Sequence, residues 1–542
     1  MPRRLWLALG MLALGAACLT AAQLAGAARG FKQGGVFRVG IAGASVQIDP
    51  QLAYVSTAWW LEYATAAKLF NYPDRRGAVG GVLRPEVASR YTVSRDGRTW
   101  TFFIRKGFRF SDGSAVTAGS FAYAIDRAAN HDLASPGEPF ITDSGGTNIV
   151  GANDVNDGKA RHVRGVVARG DRLIIHLTRP DASFPTKLAM PFFQATSRKL
   201  PLSREVSTGY PSAGPYFIDS HQPDVLTELR RNRFYRGTRP RNLSGVEVRW
   251  GLSEEAAYQQ VLAGRLDESP LPAAHAEEAA STFGVNTSRF WSKPTSCIGM
   301  IVLNEDRPLL RSNAALRRAL NWAVDRKAYA AAAGPYAASP WSHLLSPTVP
   351  GSVTAKRLQP YAGAPDLRKA RRLAAGHLRS GAVNIGYRIS AAGPTQAQLA
   401  RDMLVRLGMQ AQRIKVKGFT GADLYDAMGK RNTDLDFGVG MGWCSDFPDP
   451  LGPFGFGLSF FSASEPGAAN YRAKLEAAEK LRGAARSKAL GNLDVAIMNG
   501  LAPVVVMRTY NSRYFLSNRV EPRSFRYQSI YQDWSIPALA LK

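Results

Sequence analysis

Hydrophobic periodicity switches back and forth between two and 3.6 residues along the whole chain, and this alternation restricts the fold more than any single motif. Runs that alternate and are β-branched or aromatic predict strands at Gly35–Ile41, Thr99–Arg105, Arg172–Leu177, Val246–Trp250, Gln412–Lys417, Phe437–Met441 and Pro503–Arg508. Helical spacing predicts helices over Ala58–Leu69, Ala118–Ala129 (with Ser120 as N-cap), Glu254–Ala263, Arg311–Tyr329, Asp366–Leu378, Gln396–Leu407 and Tyr471–Leu490. The stripe Leu367, Ala370, Leu373, Ala374 on a strongly basic helix reads as a core face rather than a membrane face. Strands and helices mix throughout with no short repeat, which argues for an α/β protein of more than one lobe. The 542 residues leave room for about three domains or two large lobes.

The first residues read as an export signal rather than as fold. Arg3 and Arg4 precede an apolar run from Leu5 to about Leu19, and Ala25-Gly26-Ala27 offers a small-residue site for cleavage after Ala27. Two other readings stay open. The apolar stretch to Ala28 is long enough to remain as an anchor. Cys18, behind Gly15-Ala16-Ala17, is a candidate for lipidation, although lipoprotein signals usually carry leucine where Gly15 stands. All three place the rest of the chain outside the cytoplasm, periplasmic or at the cell surface. The remaining cysteines, Cys297 and Cys444, are an even pair in an exported chain and suggest one disulfide, with two unpaired buried thiols as the alternative. The formal charge of +27 is spread along the chain without a Lys/Arg tract or a nucleic-acid motif, so it reads as surface composition and no nucleic-acid partner is expected.

Catalytic and metal chemistry leave no mark. His131, His162, His176, His221, His275, His343 and His377 stand in no metal-ligand spacing, and no H-E-x-x-H, G-x-S-x-G, P-loop or dinucleotide fingerprint occurs. The loop Asn153–Gly158 lacks the alternation and distal glutamate of an EF-hand. No cofactor, metal or catalytic residue is assigned. The informative stretch is Gly442-Trp443-Cys444-Ser445-Asp446-Phe447-Pro448-Asp449-Pro450, which puts a carboxylate three residues after a tryptophan in a proline-bounded turn. That suits a pocket capturing a cationic group beside an aromatic wall.

Several blocks, in order, carry a resemblance. They are Gly34–Gly40 with Asp49-Pro50; Leu83–Ala88; Asp96-Gly97 with Thr99–Phe102; Arg105–Gly113 with Val116-Thr117-Ala118; Gly214-Pro215-Tyr216; Arg231-Asn232 with Tyr235; Ala263–Asp267; Leu316–Leu320 with Ala323–Arg326; and Trp443–Pro450. Together they resemble the extracytoplasmic solute-binding proteins of peptide ABC transporters, the family 5 or oligopeptide/dipeptide-binding type, from about Gly34 to the C-terminal region. The resemblance implies a two-lobed periplasmic-binding-protein-like (type II) α/β fold with an additional domain and a hinge. It implies a discontinuous lobe I (28–72, 205–296 and 508–542), an additional domain (73–204) and lobe II (297–507). It further implies capture of peptides, not catalysis, by a monomer that delivers them to permease subunits in the membrane. Asp446 is then the partner of the peptide α-ammonium. Trp443 and Cys444 line the cleft, and Tyr54, Val55 and Ser56 supply the facing wall. Some members join cysteines at positions similar to Cys297 and Cys444. Two departures stand out. Gly119-Ser120 replace the usual acidic residues after Thr117-Ala118, and Gly438, Gly440 and Met441 occupy the region where an arginine commonly serves the peptide carboxylate. Alternatives are a same-fold receptor for a metal chelate, sugar or small cation, a basic envelope interaction protein, and an exported hydrolase.

Overall fold

The computed structural model describes residues 31–542 except 76, 144–147, 356–357, 360, 362–363, 379–380, 431 and 453–464. The export segment with Cys18, and so the choice among cleavage, anchoring and lipidation, lies outside the described residues. Among the described residues no helix is long and apolar enough to cross a membrane.

In chain order the elements that position the site are β1 (Val36–Ala42), α1 (Ser56–Thr65), β2 (Ala88–Val93), β3 (Thr99–Ile104), α2 (Ala118–Ala129), β4 (Val166–Arg169), β5 (Arg172–His176), β6 (Tyr216–Gln222), β7 (Leu226–Arg231), β8 (Gly245–Leu252), β9 (Glu268–Pro270) and β10 (Phe290–Leu303). They continue with α3 (Ala314–Ala323), α4 (Arg326–Ala331), β11 (Ala338–Pro340), α5 (Leu367–Ala374), β12 (Val383–Arg388), α6 (Gly393–Arg406), β13 (Ile414–Phe419), β14 (Phe437–Cys444), α7 (Ala468–Glu479), α8 (Gly483–Gly500) and β15 (Val504–Leu516).

The local rules explain most of these. In β3 the alternation buries Trp100, Phe102 and Ile104 and leaves Thr99, Thr101 and Phe103 half-buried. Three expectations need correction. Ser120 does not cap α2. The chain is still extended at Thr117 (φ −131°, ψ 172°), which is the N-cap, and Ser120 Oγ accepts from the Thr117 N–H at 3.2 Å. The expected helix Arg311–Tyr329 is two helices. Val324 is extended and the Asp325 carboxylate accepts from the Ala328 N–H at 3.0 Å, so a new N-cap forms where periodicity alone reads straight through. The expected helix Tyr471–Leu490 is likewise split into α7 and α8. The break ends at Gly483 with φ +56°, a conformation that glycine adopts without a Cβ clash.

Eleven strands form one sheet in the order β13-β12-β14-β10-β15-β9-β1-β8-β7-β6, with β11 pairing β15 off this path. The pairs β12–β13, β12–β14, β1–β8 and β1–β9 are parallel, and β10 runs antiparallel to both β14 and β15. A separate antiparallel sheet, β2-β3-β5-β4, lies within residues 88–176. Two hydrophobic cores flank the β12/β14/β10/β15 half of the large sheet. One contains Leu316, Leu320, Met403, Phe437, Val439 and Val505, and the other Ile298, Met300, Met441, Ile497, Val504 and Val506. A third and larger core gathers β1, α1, α2 and the small sheet around Trp60, Phe102, Phe192 and Trp534. This is the two-lobed architecture. The two longest strands, β10 and β15, pair over most of their length, with register shifts between Pro294 and Ile298 and between Gly299 and Met300.

Two linkages hold the segments that later form the site. Arg127 and Asp49 are both fully buried. The guanidinium donates to Asp49 Oδ1 at 3.0 Å and Oδ2 at 2.8 Å, and to the Pro201 and Arg204 carbonyls. Asp49 also accepts from the Gln51 and Val206 N–H groups, so one carboxylate fixes the loop leading into α1. On the other side, Cys297 of β10 lies directly opposite Cys444 of β14, their Cα atoms 3.9 Å apart, and the two form a disulfide. Removing Asp49 strands a buried guanidinium. Asp49→Ala is therefore expected to cost about 3–5 kcal/mol in urea denaturation. Thiol titration of the denatured, unreduced protein should find neither Cys297 nor Cys444. The Cys297→Ser/Cys444→Ser variant should lose roughly 2–4 kcal/mol.

Candidate functional site

β14 leaves the sheet edge at Cys444, and the chain turns at once through Ser445 to Pro450. Neighbouring polar groups pin this turn. The Ser445 N–H donates to Ser296 Oγ at 3.1 Å, and Arg486 of α8 grips Asp449 through Nη1 to Oδ2 at 2.6 Å and Nη2 to Oδ1 at 2.9 Å. Phe447 is buried, and it is buried in the opposite lobe's core. Its ring stands edge-on to Phe140 at 6.0 Å, with the Lys187 ammonium 5.9 Å from its centroid. The turn thus reaches across from the β14 lobe and plugs an aromatic side chain into the other.

Asp446 sits at the crossing. Its Oδ1 accepts a hydrogen bond from the Tyr54 hydroxyl at 3.0 Å, over 392 residues of sequence. Tyr54 precedes α1, and its ring leans on Trp59 at 6.1 Å and Phe192 at 5.9 Å. The surrounding protein pushes the Asp446 carboxyl from 3.8 up to about 7, because removing water disfavours the charged form; the Tyr54 hydrogen bond pulls the other way. Yet Asp446 is only half-buried and Tyr54 keeps 38% of its surface exposed. A carboxylate crowded by protein but still reachable by solvent is what the wall of a narrow cleft presents. Burial also drives the Tyr54 hydroxyl upward, with the charge of Asp446 adding to it, so the phenol stays a donor.

The other residues expected at the site fall nearby with different roles. Val55 and Ser56 are exposed beside Tyr54 at the start of α1; the Val55 carbonyl already accepts from the Trp59 N–H at 3.0 Å. Trp443 is half-buried and packs against the core of Ile298, Met300 and Met441. Cys444 is committed to the disulfide. Sequence reasoning missed Phe447, Asp449 with Arg486, and Tyr425, whose hydroxyl donates to the Gly442 carbonyl at 2.6 Å and accepts from its N–H at 2.9 Å. Phe447 and Asp449 lay inside the quoted stretch, but nothing in a linear sequence says which core an aromatic residue enters. Among the described residues no group of three or more His, Cys, Asp or Glu side chains could hold a metal ion.

Residues 82–463 match the family described as bacterial extracellular solute-binding proteins, family 5 (middle region). The dipeptide-binding protein DppE of Bacillus subtilis is 25% identical over 249 residues, covering 44% of this chain and 43% of its own length. The probable di/tripeptide-binding protein 5 of Pseudomonas aeruginosa is 24% identical over 425 residues, covering 71% and 73%. The alignments thus span less than half the length of the first relatives, 43% of DppE and 29% of the Haemophilus influenzae oligopeptide-binding protein OppA. Among solved structures, clavulanic acid biosynthesis oligopeptide binding protein 2 superposes with a TM-score of 0.81 at 22% identity, covering 94% of this chain and 96% of its own. The Escherichia coli murein tripeptide binding protein MppA gives 0.72 at 19%, covering 94% and 99%. These likenesses establish the two-lobed fold, and with a match that spans well over half of its residues the chain belongs to the bacterial extracellular solute-binding proteins, family 5.

Proposed function

We propose that this protein captures short peptides between its lobes and hands them to the permease of an ABC importer, without chemical turnover. The observation that carries the reading is Asp446: a half-exposed carboxylate, held by Tyr54 at the contact between lobes, with its pKa raised to about 7. A carboxylate in such a place, with no ion pair among the described residues, gains most from a cation that enters without its water, and the α-ammonium of a peptide supplies three donors at one point. Trp443 and the Tyr54–Ser56 segment form the walls beside it. The printed descriptions of relatives as dipeptide-, tripeptide- and oligopeptide-binding proteins support the same ligand class.

Release and entry need the lobes to part. The hinge proposed here lies where β10 and β15 lose regular pairing between Pro294 and Ile298. The proposed division is lobe I (28–72, 205–296, 508–542), an additional domain (73–204) and lobe II (297–507). The Tyr54–Asp446 bond and the Phe447 plug hold the lobes together in the absence of ligand, so the incoming amine competes with a hydroxyl for the carboxylate. The protein works as an exported monomer, periplasmic or attached at the cell surface.

The pKa gives the sign of a pH effect. A carboxyl raised in the folded state favours the fold at low pH and loses that contribution as pH rises from 3.8 to about 7. An ammonium partner stabilises the ionised form and reverses this. Below about pH 7, peptide capture therefore releases a proton, and Kd should rise up to about tenfold per pH unit on acidification. Calorimetry with a di- to pentapeptide mixture between pH 5 and 8 checks this. Asp446→Asn should weaken binding at pH 8 by roughly 10- to 100-fold, since a charge-assisted hydrogen bond contributes about 1.5–3 kcal/mol, and should flatten the pH profile. Full affinity in Asp446→Asn, or peptide hydrolysis by the wild type, would contradict the reading.

A further inference from the structure

Between Leu367 and Phe419 the chain carries eleven Arg and Lys residues and a single acid, Asp402. The cations are spaced out, so no basic tract marks the segment; what it lacks is acids. Elsewhere on the surface cations are answered locally, Arg98 by Asp96, Lys159 by Asp157, Arg230 by Asp219 and Arg249 by Glu247. Among the described residues no cation of the 367–419 segment is in a salt bridge. Asp402 instead accepts from the Gln398 amide at 2.7 Å.

The fold gathers most of these cations at one pole. β12 and β13 run parallel, with Val383 beside Ile414, so both begin on the same side of the sheet. α5 leads into β12 and α6 into β13, which brings both helix C-termini to that side. Side chains tie the ends together. Arg371 Nε donates to the Arg406 carbonyl at 2.8 Å, and Arg413 donates to the Gly381 carbonyl at 2.6 Å and the Leu378 carbonyl at 3.2 Å. A shallow pocket of about 630 Å³ lies between them, lined by Ala374, Leu378, Gly381, Leu407, Gly408 and Arg413. β14 runs parallel to β12 and ends at Cys444, so this pole lies at the other end of the strands from the turn that carries Asp446.

Arg371 and Arg413 serve helix and loop carbonyls there. Other cations have no such task. Ala370 and Ala374 face the core, which turns Arg368 and Arg372 outward on α5, and both are exposed. Lys415 is exposed on β13, the edge strand of the large sheet, and the half-buried Arg406 ends α6. A lysine on an edge strand discourages strand addition, but arginines on a helix do not serve that purpose. Val405 and Val416, 39% and 41% exposed, stand next to Arg406 and Lys415 in the chain. Guanidinium groups without counter-charges, set among exposed aliphatic side chains, match a phosphate-bearing surface with an apolar layer beneath it.

We infer that α5, the end of α6 and the start of β13 form a docking surface for the phosphate headgroups of an anionic lipid bilayer. The surface is separate from the inter-lobe site and holds whatever the cleft binds. It leaves the turn of Asp446 free while the protein is held at the membrane. Each cation brought to such a bilayer strengthens binding about fivefold, an attraction that salt screens.

Co-sedimentation with vesicles, using wild type and variants that carry the same N-terminus, tests this. Wild type should bind mixed phosphatidylglycerol/phosphatidylcholine vesicles at low salt at least about tenfold more tightly than phosphatidylcholine alone, and lose that preference at high salt. Arg368→Gln/Arg372→Gln/Lys415→Gln should bind the mixed vesicles about 100-fold more weakly, three steps of about fivefold, with an unchanged Tm. Arg95→Gln/Lys106→Gln/Arg169→Gln removes three exposed cations from the β2-β3-β5-β4 sheet and its loops and should weaken binding less than about threefold. Equal losses in the two triple variants would reduce the effect to net charge and overturn the docking surface. Val405→Ser/Val416→Ser should weaken vesicle binding several-fold and leave binding of soluble polyphosphate unchanged. Polyphosphate binding that exceeds vesicle binding, and is lost in the first triple variant, would make a soluble polyanion the partner and overturn the bilayer. Equally tight binding to phosphatidylcholine and to mixed vesicles would assign attachment to the apolar N-terminal run and overturn it as well.

Discussion

Backbone hydrogen bonds between β10 and β15 run from Phe290 opposite Phe515 to Val302 opposite Val504, so one ladder threads both lobes. At one end the strands bury Phe290 and Phe515 with Tyr258 and Leu266; at the other they bury Val302, Val504 and Val506 beneath α8. Regular pairing is stiff, and pairing lost over a few residues is not. The register shifts between Pro294 and Ile298 and between Gly299 and Met300 interrupt that pairing, and the proposed hinge lies at the first of them. The disulfide falls beside that point. By joining Cys297 to Cys444 it ties β10 to the last residue of β14, next to the turn carrying Asp446.

This placement makes the site two-sided. Asp446 and Phe447 are neighbours in the chain but serve different partners. Phe447 is an apolar plug in the opposite core, and Asp446 is a polar contact to Tyr54 at the rim. Burial of a phenylalanine ring contributes on the order of 1.5–3 kcal/mol, while a half-exposed hydroxyl–carboxylate bond contributes about 1 kcal/mol or less. The aromatic contact therefore does more to hold the lobes together, and the polar one is the more readily exchanged for a ligand group. The proposed capture of an amine at Asp446 draws on that division: a firm apolar contact between lobes beside a carboxylate whose present partner is weakly held.

Much of the scaffold could be read from residue order. The alternation in β3 buries the side chains that periodicity picks out, and Tyr54 and Asp446 are joined by a hydrogen bond. The errors arose where one side chain overrode a pattern. Asp325 caps a new helix inside an unbroken apolar period, and Gly483 allows a backbone turn between α7 and α8.

Local order alone therefore determined most element types and the acidic turn, because these depend on neighbours within a few residues. The tertiary structure decided what faces what. It brought Tyr54 to Asp446 across 392 residues, sent Phe447 into the other lobe's core, and paired Cys297 with Cys444 in register. Those outcomes depend on strand order, which is a property of the packed molecule and not of any segment of it.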